Sequence, residues 1–334
     1  MDVWECALGF MNAQALLTAE EMGLFDALDR DPRNAGEVAE ALDVPEDSAA
    51  RLLTMLCALG FVERRESGAY ANTAEAAAKL VRGRPGYVGA MFRHLRHDLY
   101  PVWGHLGGAL RDGEAQWHRA FPGHRPPTAS MYEDPAALRA FMEGMHAITY
   151  EAGCQFAAKA PEIAGVGRMV DVGGASGAFL IALAQRFPGL RGEVFDLPPV
   201  RPVAEDFFRR HRLDGRLGFA GGSFWDDPLP AGADAYGLGF ILHDWDDAGG
   251  DRILARVADA APPGALLIIG EYLLDEARTG PLVVARQDLN MLVAARGRER
   301  TAAEYAEWVA RFGFALERVQ PTRSRKAFLI ARRV

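Results

Sequence analysis

The stretch Met169-Val170-Asp171-Val172-Gly173-Gly174-Ala175-Ser176-Gly177 decides the fold. Its short apolar run reads as a strand, its glycine-rich middle as a tight turn. The residues that follow, with Phe179, Leu180, Leu183 and Phe187 on one face, read as a helix. Working outward, Val194-Phe195 ends a second strand at Asp196, and further strands fall near 217–220, 233–242 and 265–271, with helices between them such as 252–260. A helix over 302–312 and two strands, 316–319 and 327–331, close the chain. Near-continuous apolar strands alternating with helices predict an α/β fold with a doubly wound, mostly parallel sheet over 166–334.

The first third reads as mainly helical. Leu16, Leu17, Met22, Leu24, Phe25 and Leu28 predict one helix ending near Asp31-Pro32. Asn34 with Glu37 has the spacing of a capping box, and Pro45 opens a helix that Gly60 stops. A hairpin follows, with Glu66-Ser67-Gly68 at its turn. Short helices and a hairpin make a winged-helix pattern over 1–90. A helical connector is expected over 91–165, with a loop at 113–128 and a long helix from Pro135 through Phe141, Met145 and Phe156.

Charge opposes a DNA-binding role for that winged helix. Residues 1–100 carry 16 acidic and 10 basic side chains, and the would-be recognition helix leads with Glu46 and Asp47. The whole chain of 334 residues has a net charge of -8. The expectation is therefore no nucleic-acid partner. Three scattered cysteines, a start without a basic segment and no long apolar run point to a cytoplasmic protein with no membrane partner.

The glycine turn says what ligand it holds. A turn of this kind lets backbone approach a ligand at a helix N-terminus. Asp171, two residues ahead of Gly173, sits badly beside a pyrophosphate but well beside a cationic amino group. Asp196 at the end of the second strand is placed for ribose hydroxyls. S-adenosylmethionine combines sulfonium, ammonium, carboxylate and ribose and satisfies all of these. The bland alternative is that Gly174 and Gly177 serve only tight packing.

With four segments in hand, the chain resembles the S-adenosylmethionine-dependent small-molecule O-methyltransferases of plant caffeate and flavonoid type and their bacterial natural-product relatives. The segments are the glycine turn, Phe195-Asp196-Leu197-Pro198, Leu242-His243-Asp244-Trp245-Asp246-Asp247 and Gly297-Arg298-Glu299-Arg300-Thr301. The resemblance implies a Rossmann-like class I methyltransferase domain behind a winged-helix dimerisation domain, and hence a homodimer. It assigns cofactor binding to Asp171, Gly173, Gly174, Gly177, Asp196, Leu197, Ser223 and Phe224. It makes His243 the general base, oriented by Glu271 and Glu299, with S-adenosylhomocysteine as product. Imidazole, with its near-neutral pKa, suits that role. Read without the resemblance, His243 could be structural and Glu271 could pair with an arginine. Asp246 and Asp247 read as helix caps.

Phe141, Met145, His146, Asn290 and Met291 are the candidates for the acceptor pocket, although their helical spacing also fits ordinary core. His94, His97 and Tyr100 are further polar candidates. Two departures stand out. Gly222-Ser223-Phe224-Trp225 replaces the adenine-contacting pair of many relatives, and Gly239 stands where plant relatives have lysine. None of the eight histidines follows His243, so the iron triad of related C-methyltransferases is missing its second histidine and no metal is expected. Transfer to carbon, nitrogen or carboxylate, or a non-methylating hydroxylase or cyclase role, remain the alternatives to transfer onto a hydroxyl.

Overall fold

The structure is a computed structural model that describes residues 2–84, 86–124 and 131–334. It falls into two compact units, Met1–Tyr100 and Pro101–Val334, so the stretch 91–165 divides between them.

In the first unit, Asp2 caps the helix Val3–Glu21 by accepting the Trp4 N–H at 2.8 Å. One uninterrupted helix was expected here. Instead Gly23, at φ 79°, breaks it, and a short second helix spans Leu24–Ala27. The left-handed backbone turns Leu24 and Phe25 into the core beside Val38, Leu53 and Leu56. The capping box at Asn34 and Glu37 forms and starts the helix Ala35–Leu42. The helix Glu46–Ala58 follows. Strands β1 (Val62–Arg64) and β2 (Tyr70–Asn72) pair antiparallel as the wing.

The second unit is built on seven strands: β3 (Arg168–Val172), β4 (Arg191–Asp196), β5 (Leu217–Gly221), β6 (Ala235–Gly239), β7 (Leu266–Glu271), β10 (Phe314–Pro321) and β11 (Ala327–Arg333). Their order across the sheet is β10-β11-β7-β6-β3-β4-β5. β5, β4, β3, β6 and β7 run parallel, and β11 is antiparallel to both β7 and β10. The chain leaves β3 toward β4 on one side and returns to β6 on the other. That reversal opens a crevice at the carboxyl ends of β3 and β6, where open α/β sheets bind ligands. One core lies on each face of the sheet, with Met169, Leu180 and Phe328 in one and Val170, Tyr236 and Leu329 in the other, as strand alternation requires.

Three expectations change. Strand β6 is shorter than 233–242, because Phe240 adopts φ 56° and a 3-10 turn follows at Leu242–Asp244. The stretch 113–128 is not all loop: Trp117–Ala120 forms a helical turn anchored by the buried Trp117 indole, which donates to Ala294 O at 2.6 Å. Residues 125–130 of that stretch lie outside the described residues. A parallel pair that sequence reading missed, β8 (Leu273–Leu274) with β9 (Arg300–Thr301), draws the Gly297–Thr301 segment to the end of β7.

Gly177 opens the helix Ala178–Arg186 at φ 73°, and a methyl there would strike the Phe208 ring. Gly177→Ala is expected to lower unfolding free energy by about 2 kcal/mol, from left-handed strain alone. Urea denaturation of the ligand-free protein measures this, and an unchanged midpoint and slope would remove the strain argument.

Candidate active site

Three elements meet at the strand tips. The 3-10 turn after β6 carries His243, β7 ends at Glu271, and Glu299 directly precedes β9. Glu271 is fully buried, and its Oε1 accepts the N–H groups of Ile241 at 3.0 Å and Leu242 at 3.1 Å. One carboxylate oxygen therefore fixes the turn that carries the histidine, and the other, Oε2, lies 3.7 Å from His243 Nδ1. Glu299 is held by its own N–H, which donates to Asp288 Oδ1 at 2.8 Å, and its Oε1 lies 2.8 Å from His243 Nδ1. The fully buried Arg300 ties the same region together by donating to Asp247 Oδ1 at 2.6 Å. Asp246 caps the next helix at Gly249 N, as expected, whereas Asp247 serves Arg300.

Because Nδ1 faces a carboxylate that can only accept, Nδ1 carries the proton and Nε2 is left to receive one. Asp244 Oδ1 stands 3.4 Å from that nitrogen. Burial pushes the imidazole pKa down, but Glu271, Asp244 and Glu299 outweigh it and hold His243 up to about 10. The near-neutral value expected from sequence is thus corrected for the ligand-free site. Surrounding carboxylates favour the imidazolium, and added positive charge in the site lowers its pKa.

The cofactor candidates gather on the other side of the crevice. Asp171 is buried at the end of β3, and burial raises its pKa to about 7. Asp196 is raised by burial to about 6, with Ala175 N donating to its Oδ2 at 2.8 Å and Leu197 N to its Oδ1 at 2.7 Å. Each oxygen keeps a further lone pair for a ligand hydroxyl. A methyl on Gly174 would lie 2.7 Å from Asp171 Oδ2, so the bare turn rests directly against that carboxylate. These residues fit a ligand that brings cations, a ribose and little bulk near the turn. Ser223 is occupied locally, its Oγ accepting Trp225 N at 3.1 Å, and Phe224 packs edge-on against Trp225 and Trp245.

The acceptor candidates separate. Phe141 and Met145 lie half-buried on the helix Pro135–Ala157. Met291 is buried, and Asn290 Oδ1 accepts the Trp103 indole N–H at 2.9 Å. His146 has another position: its Nδ1 lies 2.8 Å from Ser176 Oγ, and its ring stacks on Phe207 at 3.9 Å. Burial drives it down to about 3, a neutral ring that braces the glycine turn. His94 and His97 are engaged within the first unit by Asp98 and Glu21.

Sequence reading missed three residues here. Tyr132 is raised to about 12 by burial and by the charges of Asp196 and Asp244. Phe240 stacks on His243, and Lys326 is a fully buried cation at the start of β11. Neither Tyr132 nor Lys326 sits in a motif, and only tertiary structure brings them to the strand tips. His243, Glu271 and Glu299 also group their donor atoms within 4.8 Å, a metal-like spacing. Glu271 Oε1 and His243 Nδ1 are engaged by protein partners there, while Glu271 Oε2 and Glu299 Oε2 are buried without a hydrogen-bond partner.

The family model for the O-methyltransferase domain matches residues 103–315, and that for the O-methyltransferase dimerisation domain matches residues 4–82. The chain belongs to this family. It is an S-adenosylmethionine-dependent O-methyltransferase with a class I methyltransferase fold. Among curated proteins it is 39% identical over 306 residues to the 3-hydroxy-5-methyl-1-naphthoate 3-O-methyltransferase of Streptomyces sahachiroi, covering 91% of this chain and 86% of that protein. The solved human N-acetylserotonin methyltransferase in complex with S-adenosylmethionine matches with a TM-score of 0.89 and 30% identity, over 98% of this chain and 96% of that one. An O-methyltransferase from neocarzinostatin biosynthesis, in complex with S-adenosylmethionine and 2-hydroxy-5-methyl naphthoic acid, matches at 0.77 and 29% identity over 96% of each chain.

A cationic ligand prefers Asp171 ionised, so S-adenosylmethionine affinity is expected to rise with pH through the range near 7. Between pH 6 and pH 8 the Kd should tighten by about tenfold, read by calorimetry. Asp171→Asn should weaken binding, flatten the profile and leave the Tm of the ligand-free protein no lower, since it removes a buried charge. A flat profile for the unaltered protein would exclude Asp171 as the cation's partner.

Proposed function

We propose that this enzyme methylates a hydroxyl on a small, flat aromatic acceptor of natural-product type, with His243 as the proton acceptor. The observation that carries the base assignment is the 2.8 Å contact between Glu299 Oε1 and His243 Nδ1, which leaves Nε2 as the basic nitrogen. The aromatic acceptor is supported by the naphthoate named for one relative and the naphthoic acid bound in another.

When bound, S-adenosylmethionine supplies a methyl group already activated on a positively charged sulfur. What remains for the chain is alignment and proton removal. Asp171 would meet the ammonium and Asp196 the ribose, with Gly173, Gly174 and Gly177 giving the backbone close approach and Leu197, Ser223 and Phe224 lining the adenine side. His243 takes the acceptor's hydroxyl proton at Nε2. Glu271 and Glu299 hold the ring in the required tautomer and stabilise the imidazolium that results. Phe141, Met145, Asn290 and Met291 would line the acceptor side with apolar and thioether surface suited to an aromatic ring.

In this reading residues 1–90 form the dimerisation domain of a cytoplasmic homodimer. Residues 91–165 contribute to the acceptor side, and 166–334 hold the cofactor. The dimerisation domain match supports the homodimer. Among the described residues no helix is long and apolar enough to cross a membrane.

His243→Gln is expected to lower kcat by about two to four powers of ten while S-adenosylmethionine Kd changes by less than about threefold. Mass spectrometry of a hydroxynaphthoate acceptor, reading the gain of one methylene, measures turnover. Undiminished turnover would take His243 out of the base role, and a gain on carbon or nitrogen would replace the hydroxyl assignment.

A further inference from the structure

Lys326 is an anomaly for a buried residue. It is 1% exposed, and among the described residues its ammonium has no hydrogen-bond or ion-pair partner. Glu271 and Asp171 attract it without coming within ion-pair distance, and a buried charge lacking a close partner is costly. What it does have is aromatic: Nζ lies 3.8 Å from the centroid of the Phe240 ring and 5.8 Å from that of Phe328. It also runs beside the strand tips, since a methyl placed on Gly239 would sit 3.2 Å from Nζ and one on Gly270 would sit 2.8 Å from Cε.

Phe240 is anomalous in turn. It is a bulky residue held at φ 56°, in the left-handed region that such side chains avoid. Its ring stacks on the His243 imidazole, with centroids 5.3 Å apart and planes 26° apart, and meets Tyr272 edge-on at 5.0 Å. The strained residue thus sits between a cation and the base. Strain of this sort persists only where surrounding contacts over-determine it. A cation over a ring is such a contact.

We propose that Lys326 is a positioning residue for the base: it holds the Phe240 ring against the His243 imidazole and, as a buried cation, counters the carboxylates gathered around that imidazole. The proposal rests on the reading of His243 as proton acceptor.

The charges involved come from every neighbouring element. Glu271 and Asp244 act on His243 from β7 and its own turn, and Glu299 from the segment before β9. Lys326 is drawn by Glu271 and by Asp171 of β3. Arg300 and the Tyr305 hydroxyl lie behind Glu271 and Glu299, and Arg325 acts on Tyr272. Around His243 the balance is strongly negative, which keeps a proton on the imidazole and off the acceptor's path. Lys326, over the Phe240 ring and acting on Glu271, is a positive charge that opposes this balance. Burial lowers its own pKa and the two carboxylates raise it, with burial the larger effect.

The sign follows. While Lys326 holds its proton it disfavours the protonated imidazole, so in the enzyme saturated with a cationic cofactor, whose charge lowers the imidazole's proton affinity, Lys326→Met should move the His243 titration and the ascending limb of the kcat–pH profile to higher pH by about half to one unit. Turnover near pH 7 should fall by about threefold to tenfold and recover at higher pH, with S-adenosylmethionine Kd within about threefold of the unaltered enzyme. Lys326→Arg, which keeps charge and ring contact, should restore most of the profile. The imidazole is read directly by NMR of histidine-labelled enzyme saturated with sinefungin, a cationic cofactor analogue, with His243→Gln assigning the signal.

A loss of turnover equal at every pH, an unmoved His243 titration, or a loss of cofactor affinity matching the loss of turnover would overturn the proposal. If Lys326→Met does not fold, Phe240→Leu serves in its place. It keeps the cation and removes the ring, and should lower kcat by about tenfold at unchanged cofactor Kd, so an unaltered kcat there overturns the ring's role. Failure of the base reading is distinguishable, because the NMR titration does not depend on methyl transfer.

Discussion

A carboxylate excluded from water must find donors or lose its charge, and Glu271 finds two in consecutive backbone N–H groups. By accepting from Ile241 and Leu242 it converts the end of β6 into a turn that can have only one shape. His243 rides on that turn. Through it the imidazole's position is tied to β7, an interior strand of the sheet buried along its whole length. The site is therefore built on strand ends, with loops carrying only what is added to it. This is the arrangement that holds reacting groups within tenths of an ångström.

The same constraint explains why the crevice is short of positive charge. Asp171, Asp196, Asp244, Glu271 and Glu299 converge there, with His243 and Lys326 as the cations facing them. In an empty site such an arrangement is unfavourable, and the raised values of Asp171 and Asp196 express that cost. A ligand bearing an ammonium and a sulfonium relieves it. The two halves of the crevice are then linked. On the proposed assignment, a cation bound against Asp171 would also lower the imidazole's affinity for its proton, so occupancy of the cofactor half would favour neutral His243.

Much of this was legible in the sequence, for physical reasons that differ by residue. The glycine turn and Asp196 are local features: a strand end, a turn and a helix start are specified by a handful of adjacent residues. The capping box at Asn34 and Glu37 is equally local and forms as read. His243 and Glu271 could be placed together because both end strands of one parallel sheet. Glu299 joined them only through resemblance, since the β8–β9 pair that delivers it is two residues long and has no periodicity to read. His146 has surroundings that the sequence does not show, for a related reason. Its neighbour Met145 points to one side of the helix, while the histidine itself turns to Ser176 and the Phe207 ring.

Lys326 shows where such reading stops. In sequence it is one lysine after Arg325, ahead of the apolar run Ala327–Ala331, and the default for a lysine is a solvated surface. Its burial follows from three separate facts: β11 runs antiparallel beside β7, Gly239 and Gly270 leave room at the tips, and Phe240 bends back over the ammonium. The glycine at 239, which looked like the loss of a cation, is what admits one from another strand. A methyl on Gly239 would already lie 3.2 Å from Lys326 Nζ, so a larger side chain at 239 and this ammonium compete for one space.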